Sequence, residues 1–397
     1  MRGRSQLRGP SGAQEQSGIF SVLWKGLNPL LLILVVLGTV LIGNSFVKIT
    51  VPESAKLKVW ARPTKEGLYG PVKPGYFRPL VNGSRILVTG AAGFIGMQLC
   101  DQLAARMQSP GMNLIGIDDF NAYYPVGLKA ARARHLALRH GIEVINGSVC
   151  DGRLLRELLR KHRVTHVVHL AAQAGVRYSI SHPMTYVQKN VQCFVELMEA
   201  IVAVQPRPYL VYASSSSVYG LNTHIPFAES DSVDRPGNLY AATKRNNEEV
   251  AFAYHNIYGL PSVGLRFFTV YGPWGRPDMA VYKFAEKIKN GQPIMVYNDG
   301  SMRRDFTYVD DIVAGVIRAM EWRDEDGHPQ IFNLGNNQPE TVRTLIKILE
   351  KAMDLKATVV DGGESKGEVP TTFADVSLAG QILHYSPTTS LEDGVTR

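Results

Sequence analysis

The chain has 397 residues, 45% of them apolar, and can therefore bury one large core or two smaller ones. Its net charge is +8, but through residue 48 five basic residues against Glu15 already give +4. The remaining charge is spread thinly, with no basic run interleaved with aromatic residues, so we expect no nucleic-acid partner. Cys100, Cys150 and Cys193 are widely spaced without a metal-ligand pattern, so buried thiols are expected rather than a structural disulfide.

An uncharged apolar stretch covers residues 27–47. A helix of ~20 such residues is long enough to span a bilayer. Basic residues precede it, which favours a cytoplasmic N-terminus. A cleaved signal peptide is the alternative, but the stretch is long for one and no small-x-small site follows. We therefore predict a single-pass type II membrane protein, with the bulk of the chain facing a lumen or the exterior. Its segments would be a cytoplasmic tail at 1–26, a transmembrane anchor at 27–47 and a stem at 48–83.

A nucleotide site is predicted where an apolar strand at 85–89 runs into the glycine turn Gly90-Ala-Ala-Gly93-Phe-Ile-Gly96. Strand, glycine turn and helix in this order direct helix N-terminal amides at a pyrophosphate. The spacing is G-x-x-G-x-x-G rather than G-x-G-x-x-G, so the next strand matters, and it ends in Asp118. A carboxylate there can bind the adenosine ribose and disfavours a 2′-phosphate, which predicts NAD rather than NADP. A glycine turn in an unrelated α/β protein is the alternative.

A candidate catalytic pair lies in Tyr240-Ala-Ala-Thr-Lys244. Residues four apart share one face of a helix, so Lys244 is expected beneath the Tyr240 ring. A nearby ammonium favours the phenolate and lowers a tyrosine pKa from its usual value of about 10. A hydroxyl of the upstream run from Ser214 to Ser217 could orient a substrate hydroxyl against that base. The pattern predicts proton removal from an alcohol while NAD takes the hydride, although Y-x-x-x-K alone also arises by chance.

From residue 84 onward, short apolar strands alternate with helical patterns. Strands are predicted at 85–89, 114–118, 142–146, 164–170, 208–214 and 262–268, and helices at 94–107, 151–162, 184–203 and 238–258. This alternation predicts an α/β fold with a Rossmann-type, doubly wound parallel sheet. Shorter elements near 294–297, 331–334 and 357–360 predict a smaller C-terminal substrate lobe. Within one domain at 84–397, NAD would then be bound mainly by 84–270 and the sugar nucleotide mainly by 271–397.

Five longer segments carry a family resemblance. They are DDFNAYY at 118–124, HLAAQAGVRY at 169–178, YASSSSVYG at 212–220, RFFTVYGPWGRPDM at 266–279 and RDFTYVDD at 304–311. With these segments, the chain from about 85 to 392 resembles the extended short-chain dehydrogenase/reductase family, which includes NAD-dependent epimerases and dehydratases. Within it, the segments are most similar to those of the UDP-glucuronate 4-epimerases.

The resemblance implies NAD-dependent C4 epimerisation of a UDP-sugar, UDP-glucuronate to UDP-galacturonate, through a 4-keto intermediate. Tyr240 would be the base, Ser215 the proton relay, and Lys244 would also hold the nicotinamide ribose. Two alternatives stay open: a UDP-glucose or UDP-N-acetylglucosamine 4-epimerase, and a net NAD-dependent sugar-nucleotide oxidoreductase. A non-catalytic nucleotide-binding membrane protein is a third reading, and the intact catalytic residues count against it.

The same resemblance implies the binding residues. Those expected at NAD are Gly90, Gly93, Phe94, Ile95, Gly96, Asp118, Asp151, Leu170, Ala171, Ala172, Gln173, Asn190, Ser214, Tyr240, Lys244 and Phe268. Those expected at the UDP-sugar are Ser215, Ser216, Arg177, Thr269, Arg276, Met295, Tyr297 and Arg304. Phe268 could instead be plain core packing, and Arg276 a surface loop charge. No metal site is expected. The protein is expected to form a homodimer.

Two positions distinguish between related reactions. After the relay residue, 4,6-dehydratases carry Asp-Glu and decarboxylases carry Glu, whereas this chain has Ser216 and Ser217. Without a carboxylate base, removal of the C5 proton lacks its catalyst, which favours epimerisation. A 4-keto uronate is a β-keto acid that readily loses its carboxylate, so hydroxyls and a cation that hold the carboxylate would suppress this loss. Thr269 and Arg276 are the candidates for that role.

One segment departs from the pattern. Relatives carry a second diphosphate arginine in Arg-x-Gly-Asp-x-Pro, where this chain reads Ser365-Lys-Gly-Glu-Val-Pro370. Lys366 could substitute only as a point charge, so weaker substrate binding is expected. Relatives also continue beyond the position of Arg397 into a last amphipathic helix, so the sequence reads as a truncated product.

Overall fold

The computed structural model describes residues 39–42, 45–48, 75–81, 83–106, 113–364 and 369–397. The chain divides into two units, Met1–Thr64 and Lys65–Arg397. In the first, β1 (Thr39–Ile42) and β2 (Ser45–Lys48) pair antiparallel. These strands overlap the predicted transmembrane helix, whose remaining residues lie outside the described ranges, so that helix is not confirmed. Within the described ranges, no helix combines the length and apolar character needed to cross a bilayer.

The second unit is built from strands and helices that alternate along most of its length. Its strands are β3 (Tyr76–Phe77), β4 (Arg85–Thr89), β5 (Asn113–Asp118), β6 (Val144–Asn146), β7 (His166–His169), β8 (Tyr209–Ser215), β9 (Ser262–Phe267), β10 (Thr269–Tyr271), β11 (Ile294–Val296), β12 (Arg303–Tyr308), β13 (Trp322–Arg323), β14 (Gln330–Leu334), β15 (Pro339–Thr341), β16 (Val359–Asp361) and β17 (Thr371–Thr372). Its α-helices are α1 (Phe94–Arg106), α2 (Val126–His140), α3 (Gly152–Lys161), α4 (Tyr178–Ser181), α5 (Pro183–Tyr186), α6 (Cys193–Val202), α7 (Leu239–Tyr258), α8 (Ala280–Lys289), α9 (Val309–Glu321), α10 (Val342–Met353), α11 (Ser377–Leu383) and α12 (Leu391–Thr396).

A seven-stranded parallel sheet in the order β14-β9-β8-β7-β4-β5-β6 confirms the predicted Rossmann-type fold. Both faces are covered: one core cluster includes residues of α1 and α9, and the other includes residues of α3, α6 and α7. Ile86, Leu87 and Val88 are each 0% exposed. Such an unbroken apolar run is what a strand covered on both faces requires.

The edge strand β14 differs from the prediction. The element expected near 331–334 was assigned to the smaller lobe, but Gln330–Leu334 pairs with β9 in the main sheet. A short apolar run predicts a buried strand without specifying which sheet it joins. The smaller sheets are formed by β10, β12, β15 and β17, and by β11 with β16. The proposed division near residue 270 stays a prediction.

The helix predicted at 184–203 is divided. It consists of α5, a π-helix (Val187–Gln192) and α6. Asn247 Nδ2 donates to the Asn190 carbonyl at 2.7 Å, and a side chain inserted into the helical ladder is a common cause of such a widening. The sequence periodicity alone does not reveal this insertion. Helix α2 was not predicted, because its buried side chains Lys129 and Arg132 weaken the apolar period.

The cysteine prediction was wrong for one pair. Cys150 and Cys193 form a disulfide, whereas Cys100 is a buried free thiol as expected. Cys150 precedes α3 and Cys193 begins α6, and the two helices pack against each other on one face of the sheet. A spacing of 43 residues does not disclose this proximity, which only the packing of the helices creates.

Candidate active site

The glycine turn between β4 and α1 is packed too tightly for side chains. Gly90 has φ +73°, a left-handed conformation that favours glycine, and its amide donates to the Ile117 carbonyl at 2.8 Å. A Cβ on Gly96 would lie 2.1 Å from the Gly90 carbonyl oxygen, and one on Gly90 would lie 2.8 Å from the Ala171 amide nitrogen. The backbone can therefore come close to a ligand at the N-terminus of α1, as a dinucleotide pyrophosphate requires.

Asp118 ends β5 next to this turn. Its two carboxylate oxygens accept the Ala92 amide at 3.1 Å and the Phe120 amide at 2.9 Å, and Lys129 Nζ lies 3.9 Å away. Burial raises the pKa of Asp118, and the Lys129 ammonium opposes that rise. A carboxylate has about four acceptor sites, so two backbone bonds leave room for ribose hydroxyls. Asp118 and the glycine turn thus fit the ribose and the pyrophosphate of an adenosine diphosphate.

Two adjoining cavities lie at the carboxyl ends of the parallel strands, where open α/β sheets bind ligands. The larger is lined by Gly90, Gly93, Phe94, Ile95, Gly96, Asn121, Tyr123, Tyr124, Lys129, Leu170, Ala171, Ala172, Gln173, Ala174, Ala213, Ser214, Ser215, Tyr240, Lys244, Phe267, Phe268, Val270, Arg276 and Met279. The smaller is lined by Ile117, Asp118, Asp119, Asn121, Gly147, Val149, Ala171, Ala172, Gln173 and Lys189. All three predicted catalytic residues and most of the predicted NAD residues therefore face one continuous site.

The helix that carries Tyr240 and Lys244 is fixed at both ends. The Asn238 side chain caps α7 by accepting the Ala241 amide at 2.9 Å, and Gly259 ends it in the left-handed conformation. Lys244 Nζ donates to the Ala213 carbonyl at 2.8 Å, and burial lowers the pKa of Lys244 to about 8.

The cation that acts on the Tyr240 phenol differs from the predicted one. Burial raises the pKa of Tyr240, and the influences that lower it are a hydrogen bond with Ser215 and the positive charge of Arg276. The cation expected to act on the phenol was Lys244, whose ammonium is instead bonded to the Ala213 carbonyl. Without a ligand, Tyr240 is a neutral phenol at neutral pH.

Arg276 is held in a small polar cluster. Its Nε donates to Asp278 Oδ1 at 3.0 Å and its Nη2 to Asp278 Oδ2, while the Tyr123 hydroxyl donates to the same Oδ2 at 3.0 Å. The Arg276 side chain is 21% exposed and lines the larger cavity, so it is not a surface loop charge. The guanidinium is thereby oriented before any substrate arrives.

Several predicted residues lie outside the two cavity linings. Asn190 is buried behind the site, where its Oδ1 accepts the Gln173 amide at 2.8 Å. It therefore contacts a residue of the lining, Gln173, without lining the cavity itself. Asp151 caps α3 by accepting the Arg153 and Leu154 amides at 3.0 Å. Its predicted contact with NAD stays a prediction.

Three predicted substrate residues lie in the part of the chain that was expected to form the smaller lobe. Met295 is 52% exposed and Tyr297 is 38% exposed. Arg304 donates to the Val369 carbonyl at 3.1 Å. Val369 directly follows residues 365–368, where the sequence differs from the arginine pattern of its relatives and which lie outside the described ranges. Arg177, Ser216 and Thr269 are absent from the two linings, as are Met295, Tyr297 and Arg304, and their roles stay predictions.

Sequence reasoning missed part of the lining. The unpredicted residues with polar side chains are Asn121, Tyr123, Tyr124 and Lys129 in the larger cavity and Asp119 and Lys189 in the smaller one, and Asp278 stands behind Arg276. The segments DDFNAYY and RFFTVYGPWGRPDM contain most of them and could have identified them. Arg132 had no such signal: it is fully buried and donates to the carbonyls of Ala92, Trp274 and Gly275.

Comparisons with known proteins agree with this geometry. The NAD dependent epimerase/dehydratase family matches residues 86–335. UDP-glucuronate 4-epimerase 4 of Arabidopsis thaliana is 46% identical over 330 residues, covering 80% of this chain and 74% of the relative. The crystal structure of UDP-glucuronic acid 4-epimerase from Bacillus cereus, in complex with UDP-glucuronic acid and NAD, has a TM-score of 0.72 at 35% identity, covering 78% of this chain and 96% of that one.

A third similar protein is MoeE5 in complex with UDP-glucose and NAD, with a TM-score of 0.67 at 32% identity, covering 79% of this chain and 96% of that chain. The family match spans more than half of the 397 residues, and the relative named from Arabidopsis thaliana is covered over more than two thirds of its length. The chain therefore belongs to the NAD dependent epimerase/dehydratase family.

Proposed function

We propose that this protein is an NAD-dependent UDP-glucuronate 4-epimerase that interconverts UDP-glucuronate and UDP-galacturonate. The observation that carries the proposal is the convergence of Ser215, Tyr240 and Lys244 on the same cavity as the glycine turn. The similar proteins from Arabidopsis thaliana and Bacillus cereus are named for this reaction, and the structure of the latter contains UDP-glucuronic acid and NAD.

The chain's own contribution to the chemistry is proton transfer at the sugar O4. Tyr240 accepts the O4 proton and later returns it, while Ser215, which lines the same cavity, holds the substrate hydroxyl in line. When bound, NAD supplies the hydride acceptor at C4, the hydride donor for the return, and a positive charge that favours the phenolate. Because burial raises the pKa of Tyr240, this chemistry depends on the cations and hydroxyls around the phenol.

Epimerisation rather than elimination is supported by the polar groups around the sugar. The positions that carry acids in dehydratases and decarboxylases are Ser216 and Ser217, and Ser215 Oγ donates to Ser217 Oγ at 3.2 Å. Among the described residues that line the larger cavity there is no Asp or Glu. The lining of this cavity therefore offers no carboxylate base for a C5 proton, which favours return of the hydride to the ketone.

Arg276 supports a uronate as the substrate. Its guanidinium is pre-oriented by Asp278 and Tyr123 at the wall of the cavity, and Thr269 follows Phe268 nearby in the chain. Arginine binds carboxylates with a fixed fork geometry, so it can hold the C6 carboxylate and oppose its loss from a β-keto acid. MoeE5 binds UDP-glucose, and so UDP-glucose is the comparison substrate in the test.

The remaining substrate roles are assigned by resemblance. Met295 and Tyr297 would contact the uracil and Arg304 the diphosphate, while Arg177 and Ser216 would bind the UDP-sugar elsewhere. Met295 and Tyr297 lie close together, since the Tyr297 hydroxyl donates to the Met295 sulfur at 3.3 Å. Their exposed surfaces are available to a planar base.

We also propose a membrane-anchored homodimer in the Golgi, with residues 27–47 as the anchor, 48–83 as the stem and 84–397 in the lumen. The uncharged apolar sequence supports the anchor. The disulfide between Cys150 and Cys193 supports an oxidising compartment. The homodimer rests on the family resemblance. Protease protection of microsomes and the mass of the detergent-solubilised protein test these points.

The test of the reaction is incubation of the full chain and NAD with UDP-glucuronate, followed by chromatographic separation of UDP-galacturonate. Product should appear without accumulation of NADH, and UDP-glucose should react far more slowly. Tyr240→Phe should lower turnover by roughly a hundredfold or more while NAD stays bound. Tyr258→Phe, on the same helix but 38% exposed and outside the cavity, is the matched control and should retain full activity. NADH accumulation, or an active Tyr240→Phe variant, would contradict the proposal.

A further inference from the structure

Three ionisable side chains follow one another at intervals of four along α7, namely Tyr240, Lys244 and Glu248. This spacing places them on one face of the helix, the face turned toward the end of β8. Lys244 Nζ donates to the Ala213 carbonyl at 2.8 Å, and Ser214 Oγ donates to Glu248 Oε1 at 2.6 Å. Two polar contacts thus fix the register of α7 along β8.

The next residue of β8 is the predicted proton relay. Ser215 follows directly after the two residues that bond Lys244 and Glu248, and it lines the same cavity as Tyr240. A shift of the helix by one residue would break the Lys244 and Glu248 contacts and would move Tyr240 relative to Ser215. The alignment of Tyr240 with Ser215 therefore depends on how firmly these two contacts are held.

Glu248 is the most firmly held member of this set. Its side chain is 0% exposed, and Arg266 of β9 binds it with two bonds, from Nε at 2.9 Å and from Nη2 at 2.8 Å. Arg245 Nη1 adds a third bond at 3.2 Å. One carboxylate thereby ties α7 to both β8 and β9, with every bond charge-assisted.

The network continues away from the cavity. Arg266 Nη1 donates to the Tyr219 hydroxyl at 3.1 Å, and that hydroxyl donates to Asn333 Oδ1 at 2.6 Å on the edge strand β14. Asn333 in turn donates to the Phe227 and Asp375 carbonyls. The carboxylate is therefore anchored to a satisfied, buried framework rather than to a mobile surface group.

We infer that Glu248 is a positioning residue for the epimerase reaction, because its carboxylate aligns Tyr240 with Ser215 and keeps the neighbouring Lys244 ammonium charged. The inference rests on the proposed function, since it takes Tyr240 and Lys244 to carry the chemistry. Glu248 is not itself part of either cavity lining, and it acts through Ser214 and Lys244, which are.

The electrostatic part follows from the groups around Lys244. Burial lowers the pKa of Lys244 to about 8, and the negative charge of Glu248 opposes that loss. Glu248 stays ionised because Arg266 more than offsets its burial and holds the pKa of the carboxyl below its usual value. His169 faces Lys244 from β7, and burial lowers the pKa of His169 to about 3, so it is neutral.

Two more charged groups surround this arrangement. Arg276 and Tyr240 interact across the cavity, and Arg276 carries a positive charge compensated by Asp278. Arg245, next in the chain to Lys244, is shared between Glu248 and Glu249. Removing the charge of Glu248 without changing its shape should therefore leave an excess of positive charge near Lys244, and its ammonium should lose its proton at a lower pH.

The primary experiment compares Glu248→Gln with the wild type over a pH series of kcat, using NAD and UDP-glucuronate. The pH at which kcat falls on the alkaline side should move down by about one unit. The variant should then be roughly eightfold slower than the wild type at pH ~8.5, and the two proteins should turn over at similar rates at pH ~6.5. KM should stay within about twofold, since Glu248 touches no ligand. An alkaline limb that stays at its wild-type pH in Glu248→Gln would show a merely structural role and overturn the inference.

A second readout does not depend on the sugar nucleotide. In NAD-bound protein labelled with ¹³C,¹⁵N-lysine, the Lys244 side-chain signal is identified by its loss in Lys244→Met, and its titration midpoint should fall by about one unit in Glu248→Gln. If wild-type protein does not turn over UDP-glucuronate, the proposed function fails, and this titration still decides the inference. An unchanged midpoint would refute it.

Two further variants serve as controls. Glu249→Gln removes a neighbouring carboxylate that is 53% exposed and should leave both the kcat profile and the midpoint unchanged. Glu248→Asp keeps the charge but shortens its reach, so it should lower kcat at all pH values while preserving the alkaline limb. If Glu248→Gln fails to fold, a shifted limb in Glu248→Asp is the result that contradicts the inference.

Discussion

The glycine turn offers a sharp perturbation at Gly96. A Cβ there would lie 2.1 Å from the Gly90 carbonyl oxygen and 2.8 Å from its carbonyl carbon, whereas real Cβ contacts essentially never fall below 3.0 Å. Both atoms belong to backbone, so no flexible side chain can move aside. Gly96→Ala must therefore widen the turn by roughly 1 Å or tilt the start of α1.

The cost can be estimated from overpacking in other proteins, which destabilises by about 1–3 kcal/mol. The displaced carbonyl belongs to the turn that approaches the pyrophosphate, so the loss should fall largely on the cofactor-binding state. We expect the Kd for NAD to rise by roughly tenfold to a hundredfold, since about 1.4 kcal/mol corresponds to a factor of ten. Titration calorimetry of purified, cofactor-free protein measures this directly.

Gly127→Ala is the matched control for this prediction. Gly127 lies in α2, a Cβ there would meet nothing within 4 Å, and alanine is the better helix former by about 1 kcal/mol. It should bind NAD as the wild type does. Unchanged NAD affinity in Gly96→Ala would refute the assignment of this turn to the pyrophosphate.

Three further predictions concern the reaction, pH and the core. Ser217→Glu adds a carboxylate beside Ser215 and should introduce solvent deuterium at C5 of the product, which the wild type should not do. Burial raises the pKa of Glu229 to about 7, so the native state binds a proton that the unfolded chain releases near pH 4.5. Stability in urea should thus fall as pH rises from about 4.5 to 7, and Glu229→Gln should flatten that slope. Phe332→Ala, at a 0% exposed site, should cost about 3–5 kcal/mol and lower the melting midpoint by roughly 10 °C, whereas Leu138→Ala, 76% exposed, should change it little.

The fold was largely predictable because its signals are local. Apolar runs such as Ile86 to Val88 are buried on both faces, and the glycine turn with Asp118 follows directly from strand ends. The π-helix at Val187–Gln192 was not predictable, because the side chain that bonds one of its carbonyls belongs to Asn247, far away in the sequence. The disulfide between Cys150 and Cys193 likewise depends on the packing of two helices.

The residues of the candidate site likewise include some that the sequence predicted and some that it did not. Ser215, Tyr240 and Lys244 lie in recognisable local patterns, and the larger cavity contains all three. Tyr123 and Asp278 lie in recognisable segments, but their joint role in orienting Arg276 could not be predicted because it needs two loops to meet. Asp151 shows the reverse: its position in the sequence suggested the cofactor, while its carboxylate forms a helix cap.

By itself, the sequence determined the fold class, the nucleotide turn and the catalytic residue types, because each is expressed in the spacing of neighbouring residues. Tertiary structure alone decided which charges act on which groups. It bonded the Lys244 ammonium to the Ala213 carbonyl, brought Arg276 within electrostatic reach of Tyr240, and buried Glu248 against Arg266 of another strand. Electrostatic effects depend on distance and burial in space, and neither quantity is written in the order of residues along the chain.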